Sequence, residues 1–193
     1  MTDKNKASAW RGVHDWLQTV IAVVTAAVVI FTFVGRLSRV EGESMRETLQ
    51  EQDLLLVLNS ALCGGYEPGD IVIAQRADFN GGAPIVKRVI ATEGQTVDID
   101  FAAGVVYVDG EPLAEPYIRE PTWTEEGTEF PLTVPEGCLF LMGDNRNKSE
   151  DSRSSALGPV DSRCVLGRAV FLVLPGVTAD TGARAWSRLG FLA

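Results

Sequence analysis

Apolar residues fall along this chain in two rhythms. From residue 16 to residue 35 there is no charged side chain, and Val20-Ile-Ala-Val-Val-Thr-Ala-Ala-Val-Val-Ile-Phe-Thr-Phe-Val34 is apolar on every face of a helix. About twenty helical residues at about 1.5 Å each span the roughly 30 Å hydrocarbon layer. The run predicts one transmembrane helix over 16–35, with Trp16 at an interfacial position. It exceeds the roughly 7–15-residue core of a cleaved leader. Behind it, Gly35-Arg-Leu-Ser-Arg39 lacks a small-x-small cleavage site, so an uncleaved anchor is expected.

After the anchor the rhythm shortens. Asp53-Leu-Leu-Leu-Val-Leu58, Asp70-Ile-Val-Ile-Ala-Gln75 and Pro84-Ile-Val-Lys-Arg-Val-Ile-Ala91 read as strands, with further strands at 138–142 and 168–174. Val105-Val-Tyr-Val108 followed by Asp109-Gly110 is a hairpin signal. Short Val- and Ile-rich runs broken by Gly, Pro and Asp predict a mainly β, antiparallel ectodomain, barrel-like or sandwiched, over 36–193. Residues 111–135 read as an irregular excursion. Residues 183–192 read either as a short amphipathic helix touching the bilayer or as a frayed tail. Residues 1–15 form a short segment ahead of the anchor.

Charge sharpens this division. Residues 1–35 carry Lys4, Lys6 and Arg11 against Asp3 and Asp15, while the rest carries 14 basic and 24 acidic side chains within a formal net charge of -9. The ectodomain has no basic footprint able to displace counterions, so a nucleic-acid partner is not expected. The N-terminal positive charges favour a cytoplasmic N-terminus and an extracytoplasmic domain, although Arg36 and Arg39 stand on the other flank.

The reactive side chains are few. Cys63, Cys138 and Cys164 form no CxxC pair and no zinc-ligand spacing. One disulfide is possible, and the sequence leaves its pairing open; Cys138 and Cys164 lie in apolar runs as small buried hydrophobes. The one histidine, His14, precedes the anchor. That removes Ser–His–Asp, Cys–His and HExxH chemistry from the ectodomain, and neither a metal nor a cofactor is expected. A hydrolase there needs another base. Lysine serves if burial lowers its pKa, because desolvation disfavours the ammonium. Only Lys87 and Lys148 follow the anchor, and Lys148 sits in a polar run where it stays hydrated. Strand alternation points Lys87 and Arg88 to opposite faces, so one of them shares a face with apolar neighbours. Taken alone, Lys87 reads equally as an edge-strand lysine that discourages aggregation.

Four segments alter that reading: Val40-Glu-Gly-Glu-Ser-Met-Arg-Glu-Thr-Leu49, Gly69-Asp-Ile-Val72, Val86-Lys-Arg-Val-Ile-Ala-Thr-Glu-Gly94, and Gly143-Asp-Asn-Arg-Asn-Lys-Ser-Glu-Asp-Ser-Arg153 with Leu157-Gly-Pro159. In this order and spacing the chain, from the anchor to about Ala169, resembles the bacterial type I signal peptidases, membrane-bound serine proteases with a Ser/Lys dyad. The single N-terminal anchor and small size look more like the Gram-positive form.

The resemblance implies Ser44 as nucleophile, Lys87 as general base and Ser149 as the hydroxyl that orients the lysine. It implies Met45 as a residue of the substrate cleft. Arg88, Asp144, Arg146, Asp151 and Arg153 would brace the catalytic loop through ion pairs. It also implies an oxyanion hole at the Ser44 N–H, without the side-chain donor some members place at the position of Gly42. The implied partners are preprotein signal peptides and the lipid bilayer, with the chain a monomer. One departure stands out: Glu47 occupies a position where the family usually has proline, and with it goes the fixed φ that would stiffen the turn. Glu47 is also the one support for a rival reading, a catalytically silent, membrane-anchored β-domain that binds a partner. A second rival, a cytosolic self-cleaving repressor with a Ser/Lys site, fits neither the anchor nor the acidic balance.

Overall fold

The computed structural model describes residues 3–177 and 182–192, with side chains from Gly12 onward. The chain divides into two compact units, Met1–Arg36 and Leu37–Ala193. In the first, α1 (Asp3–Val29) continues into a π-helical turn, Ile30–Val34. No Gly or Pro interrupts 13–34, which removes the two residues that most disfavour a helix interior. By length and composition Gly12–Val34 can cross a membrane.

The second unit is built from strands. The larger sheet comprises β1 (Gly35–Arg39), β2 (Leu54–Asn59), β3 (Ile71–Ala74), β4 (Ile85–Thr92), β9 (Cys138–Met142), β10 (Val160–Asp161), β11 (Val165–Leu174) and β12 (Gly190–Phe191). Its order is β1-β2-β11-β3-β4-β9-β10, with β12 also on β11. The smaller sheet comprises β5 (Thr96–Asp100), β6 (Val105–Val108), β7 (Glu111–Pro112) and β8 (Leu132–Thr133) in the order β7-β6-β5-β8. The pairings on either side of β3, β4 and β5 are antiparallel. The antiparallel, mainly β domain read from the sequence is therefore present.

Sequence pattern explains where the strands sit. β5 alternates between buried and exposed positions, as expected when one face meets the core and the other meets solvent. β4 does not alternate: Lys87, Arg88, Val89, Ile90 and Ala91 are all buried. It is a central strand covered on both faces, so its two cations enter the interior on opposite sides. Three apolar clusters form around it. One packs Val40, Met45 and Leu49 on Leu55, Val57, Ile73 and Leu172. A second gathers Val72, Phe79, Val89 and Leu141. The third places Ile90, Phe140 and Met142 against Val97, Ile99 and Val106 of the smaller sheet.

Two tail readings are corrected. Residues 183–192 form neither an amphipathic helix nor a frayed end. They make a 3-10 turn at Trp186–Arg188 and then β12, whose Phe191 pairs with Phe171. Gly190 and the β11 edge favour pairing over helix. Residues 178–181 of the same tail lie outside the described residues. Cys63, Cys138 and Cys164 are free thiols, each half-buried.

Candidate active site

The turn carrying Ser44 connects β1 to β2. Gly42 opens it with φ +83°, in the left-handed region that glycine enters without strain. A serine or threonine donor at this position would meet a backbone cost, which accounts physically for the missing side chain. Within the turn, Arg46 N donates to the Glu43 carbonyl at 3.1 Å and Leu49 N to the Met45 carbonyl at 2.8 Å. Met45 and Leu49 point into the core, so Ser44 is turned the other way. Met45 therefore sits in the apolar cluster beneath the turn rather than in the wall of the cavity beside Ser44.

Lys87 Nζ lies 2.7 Å from Ser44 Oγ, in hydrogen-bond contact. The lysine is 3% exposed. Burial drives its pKa below the ordinary lysine value; Asp151, Glu126 and Asp144 oppose that shift without cancelling it, and Arg153 assists it. The two side chains border a cavity of about 190 Å³ whose wall includes Phe79, Ala83, Pro84, Ile85 and Val86, with Glu41 and Glu150 at its polar margin. Two larger cavities, of about 510 and 490 Å³, contain neither Ser44 nor Lys87. The smaller one is the relevant site, because it alone of the three joins a hydroxyl to a low-pKa amine.

Apart from Asn147, Lys148 and Glu150 the loop 143–153 is buried, although nearly every residue in it is polar. Three arginine–carboxylate pairs hold it. Arg88 binds Asp144 with two hydrogen bonds, at 3.0 and 2.9 Å, gives a third to the Gly69 carbonyl at 2.8 Å, and lies over the Tyr117 ring with its Cζ 4.0 Å from the centroid. Arg146 pairs with Glu115 and donates to Thr122 Oγ1 at 2.9 Å. Arg153 grips Asp151 at 2.8 and 2.9 Å and meets Glu126 at 3.3 Å. Arg153 also donates to the carbonyls of Thr124, Arg146 and Ser149.

Of the charges in this network, that of Asp151 acts most on the amine. Ser149 Oγ donates to Asp151 Oδ2 at 2.7 Å, and Gly143 N donates to the same oxygen at 2.9 Å. Burial alone would raise the Asp151 pKa; hydrogen bonds and charge from Arg153, together with Lys87, overcome it and hold the carboxylate below its usual value. Glu126 goes the other way. Burial and the neighbouring Asp151 push it up to about 7. The loop also holds the serine turn: Asn145 N donates to the Ser44 carbonyl at 2.9 Å, and Asn145 Nδ2 to the Glu43 carbonyl at 3.0 Å.

Ser44, Lys87, Arg88, Asp144, Arg146, Ser149, Asp151 and Arg153 thus converge, while Met45 stays below. Glu115, Tyr117, Glu126, Asn145 and Thr48 join them without having been singled out from the sequence. Two arginines lie in 143–153; Arg153 finds Asp151 within the loop, and the acid-rich segment 111–135 supplies Glu115 to Arg146 and Glu126 to Arg153.

Gly143 sits where loop and turn touch. A Cβ there would press into Ser149 Oγ and the Ser44 carbonyl. Gly143→Ala is expected to destabilise the protein by about 1–3 kcal/mol, read as a lower denaturant midpoint; an unchanged midpoint would show that the contact yields freely.

The chain is similar to known peptidases. Residues 13–174 match the family model described as "Signal peptidase, peptidase S26". A signal peptidase I of Bacillus licheniformis is 33% identical over 183 residues, covering 91% of this chain and 96% of that protein. A signal peptidase I of Bacillus amyloliquefaciens is 32% identical over 193 residues, covering 91% and 96%. A crystal structure of a signal peptidase I from Enterococcus faecalis V583 is 32% identical, with a TM-score of 0.44, and covers 54% of this chain and 96% of that chain. The partner-binding β-domain without activity is not favoured by these relatives. A family match across most of the chain, meeting a buried lysine against a serine hydroxyl, leads to one conclusion: the chain belongs to the signal peptidases of peptidase family S26 and is a serine peptidase.

Proposed function

We propose that this membrane-anchored peptidase removes signal peptides from preproteins, with Ser44 as nucleophile and Lys87 as general base. The observation that carries the reading is the 2.7 Å contact between Ser44 Oγ and the buried Lys87 amine. Neutral Lys87 accepts the Ser44 proton as Oγ bonds to the scissile carbonyl carbon, and the Ser44 N–H stabilises the oxyanion. The resulting ammonium protonates the departing amine as the C–N bond breaks. Lys87, neutral again, takes a proton from water; the hydroxide adds to the acyl carbon and Ser44 leaves with that proton.

Ser149 orients the amine, its own proton being committed to Asp151. Arg88, Asp144, Arg146, Asp151 and Arg153 brace the loop. The short apolar wall of Ile85, Val86 and Pro84 suits small side chains just before the bond. Residues 1–15 are placed in the cytoplasm, 16–35 in the bilayer and 36–193 outside, on the strength of Lys4, Lys6 and Arg11. One chain carries the whole set, so a monomer suffices.

The test is preprotein cleavage by the full chain in detergent across pH, with Ser44→Ala as control. Only the neutral amine accepts a proton, so the rate rises with pH and levels off well below the ordinary lysine pKa of about 10.4. Ionisation of Glu126 near pH 7 favours the ammonium, so the rising limb is shallower than a single titration. Cleavage by Ser44→Ala, or a rate that climbs only above the ordinary lysine range, would sink the assignment.

A further inference from the structure

Residues 182–192 lie beyond the family match, which ends at residue 174, yet they reach the turn that carries Ser44. Arg188 closes the 3-10 turn Trp186–Arg188. Its guanidinium donates to Asp53 Oδ1 at 3.0 Å and to Asp53 Oδ2 at 2.6 Å, and the second nitrogen also donates to the Thr48 carbonyl at 3.1 Å. The Asp53 side chain is 0% exposed. It further accepts the backbone N–H groups of Gln50 at 2.8 Å and Gly176 at 2.7 Å.

Asp53 closes the base of the serine turn. Val40 N donates to the Asp53 carbonyl at 2.8 Å, and Gln52 N donates to the Val40 carbonyl at 2.9 Å. The ends of the 40–53 segment are thus joined, and Arg188 adds a tie from that base to Thr48. The Thr48 hydroxyl in turn donates to Asp144 Oδ2 at 2.5 Å. Asp144 is the partner of Arg88 and precedes Asn145, which holds the Ser44 carbonyl. Hydrogen bonds joined through the bodies of Thr48 and the Asp144–Asn145 pair therefore link the C-terminal segment to the serine.

We propose that Arg188 is a positioning residue for Ser44. Bridging Asp53 and the Thr48 carbonyl, it fixes the far side of the 44–49 turn, while Asp144 and Asn145 fix the side nearer the loop. Glu47 supplies no ring to lock φ in the turn, so a side chain outside the turn adds rigidity to it. Arginine suits the task because its planar fork can serve a carboxylate and a carbonyl together, which a lysine ammonium does less well. The inference rests on Ser44 being the nucleophile.

The experiment compares full-length parent, Arg188→Ala, Arg188→Lys, Ser44→Ala and the control Arg163→Ala in preprotein cleavage, with kcat and KM separated and folding followed in the same detergent. Among the described residues Arg163 pairs with Asp161 on the surface, so its variant should match the parent. A nucleophile displaced by a fraction of an ångström to about 1 Å loses up to a hundredfold in rate. Arg188→Ala is expected to lose about ten- to a hundredfold in kcat, with KM near the parent's, at temperatures where it is fully folded. Arg188→Lys, which keeps the charge on Asp53, is expected to fall between alanine and parent. Parent-like kcat in both Arg188 variants, a loss confined to KM, or a loss that only tracks the unfolded fraction would overturn the proposal. Activity in Ser44→Ala would instead overturn the nucleophile assignment, so the two failures are distinguishable.

Discussion

Lys87→Met is expected to abolish measurable cleavage while making the protein more stable at neutral pH. Methionine keeps an unbranched stem of similar volume, so the packing in β4 survives. The amine disappears, and with it a proton transfer worth about 10²–10⁴-fold in rate. The gain in stability follows from where the lysine sits. Its pKa is depressed by burial in the folded protein and ordinary in the unfolded chain. Between those two values the unfolded state holds more protons, so stability rises with pH across that window and is lowest below it. Each tenfold shift in proton affinity corresponds to about 1.4 kcal/mol. The methionine variant lacks this dependence, so its advantage in urea is largest near neutrality and fades towards pH 10. Undiminished cleavage by the variant would refute the base assignment; equal stability at all pH values would refute the cost of burying the amine.

Asp144→Ala is the second large effect. It leaves Arg88, whose side chain is 2% exposed, facing an apolar methyl. Removing one partner of a buried pair costs about 3–5 kcal/mol, because the remaining charge loses the carboxylate that held it. For a domain of this size that is a fall of roughly 6–20 °C in melting temperature. The Thr48 hydroxyl also loses its acceptor. Arg88→Met combined with Asp144→Leu is expected to recover much of the stability, since an apolar pair of similar volume can replace a buried ion pair at little cost. It should not recover cleavage, because the tie to the serine turn is gone. Calorimetry and cleavage on the two variants separate the effects; a fully active double variant would show that the pair serves stability alone.

Much of this was readable from the chain. The strands at 105–108 and 138–142 coincide with β6 and β9, and those at 53–58, 70–75 and 84–91 are displaced by a residue or so at their ends. Valine-rich runs between turn residues leave few alternatives. Lys87 stood out because the chain after the anchor contains no histidine and only two lysines, whereas Ser44 was implied by the family resemblance alone. What escaped was long-range pairing. The excursion 111–135 looked irregular, and apart from β7 and β8 it is. Its role is to deliver Glu115, Thr122, Thr124 and Glu126 onto the loop 143–153 and Tyr117 onto Arg88 of β4. No local periodicity encodes that, since partners 24 to 31 positions apart leave no mark on either segment alone. The tail escaped for the same reason: Arg188 and Asp53 are 135 positions apart. Met45 was misplaced because residues adjacent in a turn can face opposite ways.

The Arg153 guanidinium contacts three carbonyl groups and two carboxylates. Two of those carbonyls, on Arg146 and Ser149, belong to the loop 144–153 itself. Other loop carbonyls are met by backbone N–H groups, Asp144 by Arg119, Asn145 by Lys148 and Asp151 by Ser154. Withdrawing the Arg153 side chain would therefore strand two loop carbonyls and two carboxylates in a dry interior at once, so those contacts open together. A polar composition that would mark an exposed, mobile loop elsewhere is here tied down at many points.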